Sequence, residues 1–237
     1  MASDQANGDI CQLPDGTTIS GSWLASSLGA PESTALTYRI PAPDVVRGPH
    51  SVAARLLLQK EAAASDLPAS VFIKRVVPSQ LPARAATKWI RDTQSYRAEV
   101  GFYAHFVEPL RKKGVPLPIS YKVVAEGLPE LTAMLADHEN STPEAITAAA
   151  DKIESVVNKC HFLCVVQDLN PALYRQDLLL GPPEMERILA AMARMHGVTW
   201  ENRQLLADAK VLWSMFNSCP RMSNEILHFC NGLATNP

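Results

Sequence analysis

Lys74 stands in the middle of SVFIKRVV (70 to 77), an apolar run that otherwise reads as a buried strand. A buried ammonium is costly unless something anionic meets it, so this lysine either points to solvent or has a partner. One candidate partner is Glu99, in the middle of the helix predicted to follow, within YRAEVGFY. A strand lysine tied to a helix carboxylate holds a fixed cation where phosphate groups can bind. A third piece is Gly48 in RGPHSVAARLLL, a turn glycine between two predicted strands, where bare backbone can approach phosphates and offer them amide N–H groups. The residues alone leave other arrangements open: Lys74 snorkelling at a sheet edge, Arg75 as the anion contact, Glu99 on a solvated helix face, and Gly48 merely supplying a positive φ angle.

The elements that must position these groups follow from periodicity. ALTYRI (35 to 40), SVAARLLLQK (51 to 60) and SVFIKRVV are β-compatible runs separated by Pro, Gly and Asp, which predicts an antiparallel meander. Alternation puts Phe72, Lys74 and Val76 on one face of the third strand and Val71, Ile73 and Arg75 on the other, so both faces require cover. Upstream, GSWLASSLG predicts a short helix. From Pro82 to about Lys113 the apolar residues Trp89, Tyr96, Val100, Tyr103, Phe106 or Val107, and Leu110 recur at helical spacing, and Lys112, Lys113 and Gly114 suit a helix C-terminus. ISYKVVAE is a further strand. Residues 128 to 160 read as an insertion with one helix, capped by Thr142 with Pro143 in its first turn. HFLCVVQDL has no polar face and predicts a central or linking strand. Helices are expected at about 183 to 196, with Met185, Ile188, Leu189, Met192 and Met195 on one face, and at about 200 to 216. Strands followed by helices make the class α+β.

Composition narrows the possible partners. The 237 residues are 47% hydrophobic and carry a net charge of -2, so no overall basic field attracts nucleic acid or an anionic membrane. No apolar run approaches the ~20 residues of a membrane span, and the first residues lack the order of a signal peptide; a cytoplasmic protein is expected. The five cysteines (Cys11, Cys160, Cys164, Cys219 and Cys230) form no CxxC pair and read as reduced thiols. Cys160, His161 and Cys164 look like metal ligands only until their place in an apolar strand is considered.

RGPHSVAARLLL, VFIKRV, YRAEVGFYAHF, FLCVVQDLNP and ILAAMARMHGVTWEN occur in the order found in the aminoglycoside phosphotransferase and choline-kinase-like superfamily, and the chain most resembles its CHK kinase-like (ecdysteroid kinase-like) branch. The resemblance covers roughly residues 20 to 215 and implies a protein-kinase-like fold. Residues 1–168 would be an antiparallel-sheet N-lobe with one helix and the insertion at about 128–160; residues 169–237 would be a hinge and an incomplete helical C-lobe. It also implies ATP and Mg as cofactors and a small-molecule hydroxyl as acceptor. Gly48 and Ser51 would belong to the nucleotide loop, Lys74 and Glu99 to the phosphate-positioning pair, and Gln167, Asp168 and Leu169 to the hinge, Gln167 standing where the family often has an acid.

One departure is large. Phosphoryl transfer in this superfamily uses an HxD-type aspartate and a second acidic motif for magnesium. None of the six histidines (His50, His105, His138, His161, His196 and His228) has Asp two positions later, and Asp208 alone follows the MARMHG helix. The expectation is a chain that carries the nucleotide-binding part and does not turn over. The alternative is a non-catalytic nucleotide-binding or protein-interaction module, with a partner covering the incomplete lobe.

Overall fold

The structure, a computed structural model, describes residues 11–13, 16–31, 33–41, 45–47, 50–60, 66–169, 180–200 and 202. Gly48, Asp208, Cys219, Cys230 and, apart from Trp200 and Asn202, the helix expected at about 200 to 216 lie outside the described residues.

Alternating β-branched and apolar residues build six strands: β1 (Leu36–Arg39), β2 (Val45–Arg47), β3 (Val52–Lys60), β4 (Ser70–Val76), β5 (Ser120–Glu126) and β6 (His161–Gln167). All pairings are antiparallel, in the order β1-β3-β4-β6-β5. The long β3 pairs with β1 over Leu57 to Lys60 and with β2 over Val52 to Ala54, so both share the edge of β3 that faces away from β4. The expected meander is present, with β2 as an addition. HFLCVVQ forms an interior strand between β4 and β5, with six consecutive buried residues.

Each face of the sheet has its own core. On one side Leu56, Val71, Ile73, Leu163 and Val165 pack against Cys11, Ile19 and the helix α1 (Gly21–Ser27), which supplies Leu24 and Ala25. Ser20 caps that helix by accepting from the Trp23 N–H. On the other side Phe162, Cys164, Val166 and Val76 meet α2 (Ala86–Gly101) through Trp89, Ile90, Tyr96 and Val100. Full burial of one such side chain contributes about 1.5–3 kcal/mol, so the two cores dominate the stability of the sheet.

The predicted helix from Pro82 to Lys113 is continuous but wound in two ways. After α2 the residues Phe102–Phe106 form a π-turn, in which the Val107 N–H bonds Phe102 O, and α3 (Val107–Lys112) completes it. Pro109 has no N–H to return to His105, and the wide turn lies directly before it. The shift in winding buries Phe106 and Val107 together, where spacing alone left a choice between them. Gly114, at φ +82°, ends the helix.

The insertion departs from expectation. It holds three helices rather than one: α4 (Leu128–Asp137), α5 (Pro143–Ala148) and α6 (Ala150–Val157). Thr142 caps α5 by accepting from the Ala145 N–H, as its position predicts. The three helices bring Leu131, Met134, Ile146, Ile153 and Val157 onto the α2 side of the sheet. The last described helix, α7 (Pro182–Thr199), touches the third cluster, Phe106, Leu110 and Val115, through Met195 and Val198. Met185, Ile188, Leu189 and Met192 of its apolar face are exposed. No described helix is long and apolar enough to cross a membrane.

Between β5 and α4 the chain turns at Gly127, with φ +69°, and a Cβ there would lie 3.1 Å from both Cys160 Sγ and Lys159 O. Gly127→Ala therefore combines an unfavourable backbone region with a close contact, and is expected to cost about 1–3 kcal/mol. Urea unfolding should show a lower midpoint at unchanged slope; an unchanged midpoint would mean that this turn relaxes freely.

Candidate functional site

The register places Ala53 opposite Lys74 and Cys164 on the far side of it, so Lys74 rises from the face that α2 covers. Asp92, Tyr96 and Glu99 lie at spacings of four and three on α2 and form one stripe along it. From that stripe Glu99 accepts two hydrogen bonds from Lys74 Nζ, at 2.6 Å to Oε1 and 2.7 Å to Oε2. The pair is about one-third exposed on both sides, 32% and 31%. Lys74 therefore neither snorkels alone nor lacks a partner, and Glu99 is turned to the lysine while the pair stays partly open to solvent. Beneath the pair, Val76, Tyr96, Val100, Phe162 and Cys164 line a recess with room for about one water molecule.

The neighbouring groups are held in neutral forms. Burial, and then the Glu99 charge, pushes the Cys164 thiol up to about 12. Burial, and then the Asp92 charge, pushes the Tyr96 hydroxyl up to about 12 as well. Neither competes with Glu99 for the ammonium as an anion near neutral pH.

Arg75 is excluded as the anion contact. It lies on the opposite face, buried, with Nε donating to His161 Nε2 at 3.1 Å and Nη1 donating to Gln80 Oε1 at 3.1 Å. Burial, and then the Arg75 charge, lowers His161 to about 4, so the imidazole accepts as a neutral ring.

The expected hinge residues lie at the end of β6, on three different footings. Gln167 is bound into the sheet: its N–H donates to Ile119 O at 2.7 Å and its side-chain oxygen accepts from the Ile119 N–H at 3.1 Å. Asp168 is next to the Gln167 and Val71 pair, and its carboxylate meets Arg55 Nε at 2.8 Å and accepts from Ser70 Oγ at 2.6 Å. Leu169 is exposed. Ser51 immediately precedes β3 and is half-buried. Lys74, Glu99 and Asp168 thus border one face of the sheet, with Phe72 between Lys74 and the end of the strand.

Spacing did not reveal a buried polar cluster beside this site. Asp92 pairs with Arg84, which is as buried as it is, and with Arg91 Nη2 at 2.9 Å. The Arg84 guanidinium also lies 5.3 Å from the Trp89 ring centre. His50 joins the cluster from the entry to β3. The signal for it in the sequence is Asp92, which stands three residues after Trp89 and four before Tyr96, on the apolar stripe of the helix.

Cys160 and Cys164 are buried free thiols, as their strand context predicts. Among the described residues no three His, Cys, Asp or Glu side chains are grouped to hold a metal. Of the acids on this face, Glu99 is committed to Lys74 and Asp168 to Arg55. In comparisons with known proteins, no family model, no curated protein and no solved structure matches the chain.

The two ion pairs on α2 differ in what they do for the fold. Asp92→Ala leaves Arg84 buried without its carboxylate and is expected to cost about 3–5 kcal/mol. Glu99→Ala removes half of a pair open to solvent, and is expected to cost no more than about 1 kcal/mol. Denaturation of both variants checks this order, and equal losses would contradict it.

Proposed function

We propose that the chain is the nucleotide-binding part of a kinase-like small-molecule phosphotransferase, with ATP as its ligand. The observation that carries this is the two-bond contact of Lys74 with Glu99 on a partly open face of an antiparallel sheet. A pair this exposed adds little to stability, while fixing a long lysine side chain costs conformational entropy. An ammonium oriented in this way at a sheet face suits a phosphate ligand.

In this reading the polar residues have distinct roles. Lys74 binds the phosphates, Glu99 orients it, and Ser51, with Gly48, belongs to the loop over them. The base lies toward Asp168 and Leu169. Since the Gln167 N–H and side-chain oxygen are spent on Ile119, base recognition falls to the backbone beyond it. The fold is then a protein-kinase-like N-lobe with a helical insertion, followed by a hinge and the helical part to which α7 belongs. Magnesium, when bound, would neutralise charge on the phosphate oxygens, which are its available ligands beside this site. The acceptor would be a small-molecule hydroxyl, and its recognition belongs to the helical part.

The absence of an HxD sequence favours a second form of the same proposal, in which the chain binds nucleotide without transferring phosphate. Titration calorimetry with ATP and magnesium on the chain and on Lys74→Met tests both. Saturable binding that the substitution weakens about tenfold or more, the scale of a lost charge-assisted contact, is expected. Absence of binding by the folded chain would contradict the proposal.

A further inference from the structure

Immediately before β3, the side chain of His50 reaches the Glu99 helix. His50 Nδ1 lies 2.8 Å from Arg84 Nη1, 3.3 Å from the Tyr96 hydroxyl and 3.5 Å from Asp92 Oδ2. Its ring meets that of Tyr96 edge-on, with 6.5 Å between centres. A guanidinium only donates, so Arg84 fixes Nδ1 as the acceptor and leaves the ring proton on Nε2. The contact to Asp92 is then proximity rather than a hydrogen bond, because Asp92 Oδ2 is itself an acceptor for Arg84.

The placement of these partners gives the contact a consequence. Asp92, Tyr96 and Glu99 share one stripe of α2, and Asp92 and Glu99 are roughly 10 Å apart along the helix axis. The sheet side grips that stripe at two polar points. One is Lys74 on Glu99; the other is His50 on the Arg84, Asp92 and Tyr96 group. Tyr96 belongs to both, since its hydroxyl approaches His50 while it lines the recess with Lys74 and Glu99 and its ring packs 6.2 Å from that of Phe162. The chain between the two grips is short, for β3 starts at Val52 and the cross-strand neighbour of Lys74 is Ala53. The side chains of Arg84 and Asp92 are 5% exposed and that of His50 is 41% exposed, so the group is closed at the helix and open at His50.

We infer that His50 is a positioning residue, coupling the entry to β3 at His50 and Ser51 to the rotation and height of α2 and thereby to the hold of Glu99 on Lys74. Displacing His50 moves Tyr96 and the helix stripe, and drawing the helix inward sets the entry to β3. A ligand that rests on both Ser51 and Lys74 therefore binds more tightly when this connection is intact. Only this ligand arm rests on the nucleotide reading; the link between His50 and the helix stands on the contacts themselves.

The test compares the full chain with His50→Ala and His50→Asn, since the Asn side-chain oxygen can stand where Nδ1 accepts from Arg84. Two readouts are taken: amide hydrogen exchange across residues 92–101, and calorimetric affinity for ATP with magnesium. His50→Ala should speed exchange in that stretch and weaken ATP binding, each by about tenfold, the scale of one lost hydrogen bond, with exchange in β6 unchanged. His50→Asn should restore both to within about threefold, the spread of a retained hydrogen bond. The inference is overturned if His50→Ala exchanges like the parent chain, if exchange rises equally in β6, or if His50→Asn behaves like His50→Ala. Should the parent chain bind no ATP, the nucleotide reading fails, and the exchange contrast still decides whether His50 positions the helix.

Discussion

A strand that is apolar on both faces has to be covered on both faces, and β6 imposes that constraint on this chain. Phe162, Cys164 and Val166 demand one layer, Leu163 and Val165 another. The N-terminal segment with α1 supplies one cover, and α2 with the insertion helices supplies the other. Packing α2 over β6 and β4 brings its Asp92, Tyr96 and Glu99 stripe to the side of the sheet from which Lys74 rises. Apolar burial of about 1.5–3 kcal/mol per large side chain outweighs the ion pair, worth at most about 1 kcal/mol, so the cores position the pair rather than the reverse.

The charges near the sheet divide accordingly. Arg75 with His161, and Arg84 with Asp92, are buried and hydrogen-bonded, and their removal would leave desolvated groups behind. Arg55 with Asp168 closes the end of β6 against β3 and β4. Lys74 with Glu99 is different, being well formed yet open to water. Such a pair can exchange part of its solvation for a ligand without breaking the fold. His50, from the entry to β3, sets a second open group against the same helix stripe.

Much of this was legible in the sequence because it depended on local period. SVFIKRVV, HFLCVVQ and the Trp89 to Leu110 stripe declare their elements through alternation or helical spacing, and a lysine in an apolar strand asks for a partner. Glu99 is legible as that partner because it lies mid-helix on a face beside Tyr103 and the Trp89 stripe. Other features were hidden for physical reasons. VVR is too short to show a period, so β2 emerges only from its pairing with β3. The start of α4 is a glycine at positive φ with no side-chain cap, although Pro129 and Glu130 in its first turn are a helix-start signal that went unread, and the break between α5 and α6 is an alanine with no punctuation. Arg84, Asp92 and His50 are brought together by the fold of the sheet over α2. Spacing cannot express that, nor the claim of Ile119 on both the backbone and side chain of Gln167.

The central claim is that one face of the sheet, bordered by Lys74, Glu99 and Asp168, receives a nucleotide. Mapping side-chain chemical shifts while ATP and magnesium are added to the isotope-labelled chain tests it most directly, because the side chains of β4 and β6 alternate between the two faces and report them separately. The account predicts saturable shifts at Ser51, Phe72, Lys74, Glu99, Asp168 and Leu169, with the Arg75 and His161 side of the sheet unmoved. Shifts centred on Arg75 and His161, or none at all, would contradict it.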